Sequence, residues 1–254
     1  MLLVGGLAWA EDGKKKKEGW SGEISASGTA QTGTVDTIAG TIDGKAEREW
    51  TADFWTVRLV GTYGRTRDRQ DNPSKDQTTQ NSQALFTTWK HTIHDRFFWS
   101  SPAELSRDTT QDREVRFALS TGPGYRFWRI DDDEEARHFD GKLGVGYRYE
   151  LYDGNTGGPP DENGFDKNLA DLIASFEYKN NFFDDRIEWT HTAGIAMPAN
   201  DTNAFIARTE VIMGVPLTAA WSFRTTFLFE WTNDVPDDVN SALTRTTIGL
   251  GYKF

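Results

Sequence analysis

From Trp20 onward the chain alternates between apolar and polar positions. The clearest stretch puts Trp221, Phe223, Thr225, Phe227, Phe229 and Trp231 at one parity, and Ser222, Arg224, Thr226, Leu228, Glu230 and Thr232 at the other. Successive strand side chains point to opposite faces, so this reads as a strand with an aromatic-ended apolar face and a charged one. The division recurs upstream, with Phe205, Ala207, Thr209, Val211, Met213, Val215 and Leu217 against Arg208, Glu210 and Gly214. It recurs with Val115, Phe117, Leu119, Tyr125 and Phe127 against Arg116, Ser120, Gly122, Gly124 and Arg126. It recurs once more with Leu143, Val145, Tyr147, Tyr149 and Leu151 against Lys142, Gly144, Gly146, Arg148 and Glu150. The closing stretch LTRTTIGLGYKF sets Ile248, Leu250, Tyr252 and Phe254 opposite Arg245, Gly249, Gly251 and Lys253. Helical periodicity holds nowhere over a comparable length.

Two kinds of break separate these segments, and they take turns. Short ones fall near Thr51 to Asp53, His94 to Arg96, Asp131 to Ala136, Asp184-Asp185 and Thr218 to Ala220. Longer or more Gly/Pro/Asp-rich ones fall near Val35-Asp36, Arg65 to Asp76, Ser106 to Asp112, Asp153 to Lys167, Pro198 to Asn203 and Asn233 to Asn240. The segments between them number about twelve, an even count with both ends on the short-turn side. Even strand number, short turns at one end and longer loops at the other predict an all-β fold: a single antiparallel transmembrane β-barrel. The first strands are less explicit. Trp20 to Thr34 offers Trp20, Gly22, Ile24, Ala26, Gly28 and Ala30 as its lipid face, and Gln83 to Ile93 is mixed. A slip of one residue there exchanges the two faces.

Composition narrows the classes. The 254 residues suffice for one barrel, and with 37% hydrophobic residues no apolar run approaches the roughly 20 that a spanning helix needs. Aromatic residues make up 13% and recur at strand spacing, which argues against a disordered chain. A net charge of −11 excludes nucleic acid as the expected partner, since phosphate binding requires clustered Lys and Arg. The basic run Lys14 to Lys17 reads as a solvated segment. Cysteine is absent, which removes thiol catalysis, thiolate metal sites and disulfides. Met1 to Ala10 is apolar and ends Ala8-Trp9-Ala10, so residues 1–10 read as a signal peptide truncated at its start, 11–19 as a periplasmic segment and 20–254 as the barrel.

The opening GWSGEISASGTAQTGTVDT, the central TGPGYRFWR, the hairpin FEYKNNFFDDRIEWTHTAG and the closing TTIGLGYKF, in that order, resemble the family of salt-induced outer-membrane proteins, a domain of unknown function. The resemblance spans Trp20 to Phe254. It implies a Gram-negative outer-membrane barrel set in outer-membrane lipid and lipopolysaccharide, with no catalytic residues or cofactor to carry over. A terminal aromatic such as Phe254, with Ile248, Leu250 and Tyr252 before it, resembles the signal read by the barrel-assembly machinery.

Candidate chemistry is sparse. His91, His94, His138 and His191 all lie near short turns, far from an outer mouth where a Ser-His or Asp-His site of an outer-membrane hydrolase would be built. His91 and His94, three apart on a strand, point to opposite faces, so no metal site is expected from them. The run from Asp153 to Gly164 lacks two ligands of a calcium loop, and Gly122-Pro123-Gly124 and Gly144-Val145-Gly146 complete no phosphate loop. Glycine on an inward face is read instead as room for a bulky neighbour. What remains is an inward set of charges: Arg58, Arg116, Arg126, Lys142, Arg148, Glu150, Glu177, Lys179, Glu188, Arg208, Glu210, Arg224, Glu230 and Arg245. A charge at the midplane of a barrel's lipid face costs about 2–4 kcal/mol, so these must face the lumen. There they either pair into a ladder or line a narrow path. The expected function is non-enzymatic: a narrow passive channel for small solutes or ions, or a structural envelope protein. The alternative is an outer-loop binding or adhesion module.

Overall fold

The computed structural model describes residues 19–31, 35–68, 76–109, 113–130, 137–152, 166–233 and 241–254. The signal-peptide reading of 1–10, the basic run and the Asp153 to Gly164 loop fall outside them. Twelve strands follow in order: Trp20–Gln31 (β1), Val35–Glu49 (β2), Asp53–Asp68 (β3), Asp76–His94 (β4), Phe97–Asp108 (β5), Arg113–Arg129 (β6), His138–Tyr152 (β7), Asp166–Phe182 (β8), Ile187–Pro198 (β9), Ile206–Pro216 (β10), Trp221–Thr232 (β11) and Ala242–Lys253 (β12). Several residues read as breaks are strand: Val35, Asp36, 65–68 and 106–108.

Each strand pairs antiparallel with its sequence neighbours, and β1 pairs with β12, which closes the sheet into one barrel. Beyond that ladder the seam is fastened by Gly22 N donating to Phe254 O at 3.1 Å and Phe254 N to Gly22 O at 3.0 Å. A Cβ on Gly22 would stand 2.5 Å from the Phe254 ring, so this close approach needs glycine. The seam, with the turns β2–β3, β4–β5, β6–β7, β8–β9 and β10–β11, marks the turn end; the other connections mark the loop end.

The outer wall is apolar. Ile38, Ile42, Leu143, Val145, Leu172 and Ile248 are each more than half exposed and stand on outward faces. A soluble protein does not surround itself with such a surface, whereas a lipid-facing band requires it. Near the turn end the band is bordered by aromatic rings in contact: Phe97 and Tyr125 at 5.0 Å, Tyr125 and Phe127 at 5.3 Å, Phe127 and Phe139 at 4.9 Å, Trp221 and Tyr252 at 5.1 Å. Rings with an apolar body and a polar edge settle at the membrane interface. The barrel thus crosses a membrane with its strands, and its interior is the polar side: Asp43, Arg116, Asp140, Glu150, Asp171 and Glu230 are buried.

Candidate functional site

The lumen is not evenly filled. From the turn end a vestibule of about 860 Å³ reaches inward between Glu23, Lys45, Glu47, Glu177, Glu188 and Lys253. Its charges are paired along the wall: Lys253 with Glu188, Arg224 with Glu23, Lys45 with Glu47, and His138 Nε2 3.3 Å from Glu177. Arg58 and Glu210 border the vestibule on one side and, on the other, a second space of only about 80 Å³ that also reaches Arg113, Glu230 and Arg245.

Arg58 forms the waist. Its Nε donates to Asp43 at 3.0 Å and Nη2 to the same carboxylate at 2.7 Å, while Nη1 and Nη2 donate to the two oxygens of Glu210, both at 2.8 Å. Asp43 is on the neighbouring strand β2, but Glu210 is on β10. Round the ring from β3 the path runs β2, β1, β12, β11, β10: five steps, where six would be diametrically opposite. A circular ring of twelve strands 4.8 Å apart and tilted about 40° would be about 24 Å across. An extended Arg hydrogen-bonded to an extended Glu spans only about 15 Å between Cα atoms at ordinary bond lengths. The two walls therefore draw together at this level, and the guanidinium closes the gap between them. Forked, charge-assisted bonds of this kind are the strongest hydrogen bonds a protein makes.

A second crossing lies nearer the loop end. Arg116 on β6 donates from Nε to Glu150 on β7 at 2.7 Å and from Nη1 to Glu230 on β11 at 3.1 Å. β6 and β11 are again five steps apart, by way of β7, β8, β9 and β10. Glu230 also lies 3.7 Å from Arg113 and 3.8 Å from Arg208. Arg148 continues the network to Asp171 at 3.0 Å and to the carbonyl of Ala204 at 2.8 Å, and Tyr152 donates to Glu150 at 3.2 Å.

Of the sequence-derived charge set, Arg116, Arg126, Arg148, Glu150, Glu210 and Glu230 are buried, and Arg58, Lys142, Glu177, Lys179, Glu188, Arg208, Arg224 and Arg245 border the interior spaces. Their pairing differs from a simple ladder between neighbours. The partner of Glu210 comes from across the lumen, that of Arg224 is Glu23 two strands away, and Arg245 donates to Thr62 Oγ1 at 2.8 Å. Sequence reasoning missed several of the partners, among them Glu23, Asp43, Glu104, Asp140, Asp171 and Lys253. The two glycine runs lie inside β6 and β7, and a Cβ on Gly124 would meet the Phe98 ring at 2.1 Å, which is the room for a bulky neighbour expected of it. His91 and His191 face outward and bond Asp53 and Thr209, each at 2.9 Å. Among the described residues no group of three or more His, Cys, Asp or Glu could hold a metal ion.

No curated protein matches the chain. Among solved structures it is similar to the translocator domain of autotransporter NalP from Neisseria meningitidis, at 12% identity and TM-score 0.46, covering 92% of this chain and 88% of that one. It is similar to the NanC porin at 9% identity and TM-score 0.46, covering 93% and 99%, and to the KdgM porin in complex with disordered oligogalacturonate at 10% and 0.38, covering 92% and 99%. A family described as "Protein of unknown function, DUF481" matches residues 24–254, the span over which the chain's motifs resemble an outer-membrane family, and the chain belongs to it.

Proposed function

We propose that this non-enzymatic outer-membrane barrel is a narrow passive conduit for small ions and solutes, held closed at its waist by Arg58. The observation that carries the reading is the fork from Arg58 to Asp43 on one wall and Glu210 on the other, with a small chamber on one side and an open vestibule on the other. A purely structural barrel would gain as much from apolar filling, because buried ion pairs repay their desolvation poorly. A path that must admit charge needs polar walls and a breakable closure. The turn end faces the periplasm and the loop end the exterior, as in other barrels with this loop asymmetry.

Planar-bilayer recording tests the proposal. The parent should be silent or conduct weakly, and Arg58→Ser should conduct several-fold more with a preference for cations, since Asp43 and Glu210 are then unpaired in the path. Equal conductance from parent and variant, both correctly inserted, would leave the structural reading in its place.

The same reading assigns β12 the assembly role. Ile248, Leu250, Tyr252 and Phe254 present an outward aromatic-ended face, and Phe254 fastens the seam against Gly22. Recognition by the barrel-assembly machinery would then come before closure. Phe254→Ala should lower the heat-modifiable fraction in outer-membrane preparations; a normal fraction counts against this role.

A further inference from the structure

One part of the lumen does not fit a water-filled conduit. On the wall formed by β4 to β10 a side chamber of about 350 Å³ is lined by Phe98, Pro102, Ile173, Ala196 and Ile206, with Lys142 among them. Phe98 and Ile206 are buried, and the Phe98 ring is fixed: Gly124 makes room on one side and Lys90 Nζ sits 4.6 Å from its centroid. An apolar wall inside a lumen has neither lipid nor a packed core against its open side, so an apolar body laid on it removes further apolar surface from water.

The charges around this chamber are lopsided. Lys90 donates to Asp140 at 2.8 Å and Arg126 to the same carboxylate at 2.9 and 3.1 Å, so one acid serves two cations. Glu177 is engaged by His138, and Arg208 lies 3.8 Å from Glu230. Lys142 has Ser120 Oγ at 3.3 Å and, among the described residues, no carboxylate within ion-pair distance. A partly buried ammonium without a counter-charge favours an arriving anion. Thr88, Lys90, Glu177, Thr192 and Arg208 also line the vestibule, so the chamber opens to the turn end.

We infer that this side chamber binds a small amphipathic anion, an aromatic or short aliphatic carboxylate, with Lys142 taking the carboxylate and the Phe98, Ile173 and Ile206 wall covering the apolar body. Its volume lies at the lower end of small-molecule pockets, which matches a ring or a short chain rather than a long lipid tail. The site is separate from the Arg58 closure and stands or falls independently of it.

The test uses the full barrel in lipid nanodiscs and 4-fluorobenzoate observed by fluorine NMR. The parent should broaden the signal saturably, with 4-fluorobenzyl alcohol binding at least tenfold more weakly. Lys142→Met should reduce 4-fluorobenzoate affinity at least tenfold. Ala196→Phe, which fills the chamber and leaves Lys142 in place, should abolish binding, and it keeps the test decisive if Lys142→Met fails to fold. Absence of saturable binding to the parent, equal binding of the alcohol, or undiminished binding to either folded variant would overturn the inference.

Discussion

The two lumen crossings join walls equally far apart in the strand order, yet they are built differently. At the waist one arginine faces two carboxylates, every donor that reaches across is matched, and the Arg58 side chain keeps 17% of its surface exposed while bordering both the vestibule and the smaller chamber. Near the loop end Arg116 is only 3% exposed and shares Glu150 and Glu230 with Arg113, Arg148 and Arg208, while its Nη2 and the Nε of Arg113 have no hydrogen-bond partner. The first is a single wetted clasp. The second is a buried cluster in which each charge is held by several others. A clasp can open at the cost of one set of bonds, with water ready to replace them; a buried cluster cannot lose a member without stranding the rest. On the proposed reading, closure belongs to the waist and shape to the loop-end cluster.

The largest expected effect separates them by stability. Arg116→Met leaves Glu150 and Glu230 buried without their shared donor, a defect worth about 3–5 kcal/mol. Arg58→Met strands two carboxylates of which Glu210 borders the open vestibule, and its cost should be about 1–2 kcal/mol. Urea unfolding in lipid vesicles, followed by gel mobility, measures both. Equal losses would mean that the waist is as structural as the cluster.

Both crossings were partly legible in sequence, Arg58 and Glu210 as much as Arg116, Glu150 and Glu230, and what was missed follows from the strands that build them. The ladders β7–β8 to β11–β12 run without a register shift, so parity alone sorts Arg148, Glu210 and Glu230 from the lipid face. Between β3 and β7 every ladder carries an irregularity: at Gly64/Arg65, Thr92/His94, Ser106/Asp108, Arg113/Val115 and Arg126/Trp128. A bulge inserts one residue and reverses parity beyond it. Arg113 and Arg116, three apart, therefore both turn inward. In β4 the outward face itself carries Gln83, Thr87 and His91, so no contrast marks Lys90 as inward. Asp43 sits in a strand of small and polar residues. The strand count and the lipid face need only local alternation; the Arg58 to Glu210 contact also needs the ring order and the drawn-in section, and neither is written in any one segment.

A change of intermediate size distinguishes how the clasp opens. Glu210→Gln removes the far anchor but leaves Arg58 folded back on Asp43, so the waist carries one cation against one anion. Arg58→Ser leaves two anions and no cation. Both should raise conductance by releasing the crossing, but only Arg58→Ser should favour cations strongly, because unpaired charges in a low-dielectric wall set ion preference. Reversal potentials in a salt gradient read the contrast directly. If Glu210→Gln proves as cation-selective as Arg58→Ser, the selecting charges lie elsewhere in the lumen.

The smallest expected effect comes from exchanging arginine for lysine, and it asks whether geometry or charge holds each crossing. Lysine keeps the positive charge but offers a point donor on a flexible stem in place of a planar fork. At position 58 the ammonium can bond Asp43 or Glu210 well but cannot fork onto both, and water from the vestibule can solvate the group left over. Arg58→Lys should therefore cost under about 1 kcal/mol in unfolding while giving brief, flickering openings in single-channel records, as the crossing forms and breaks. Position 116 has no such water. Arg116→Lys cannot reach Glu150 and Glu230 along the same two directions, and the unmatched carboxylate stays buried, so its loss should approach that of Arg116→Met. Flicker at 58 with a large stability loss at 116 is the signature of a clasp beside a keystone. Two equally mild lysine variants would show that both crossings rest on charge alone, and steady closure by Arg58→Lys would show that the fork is not what shuts the path.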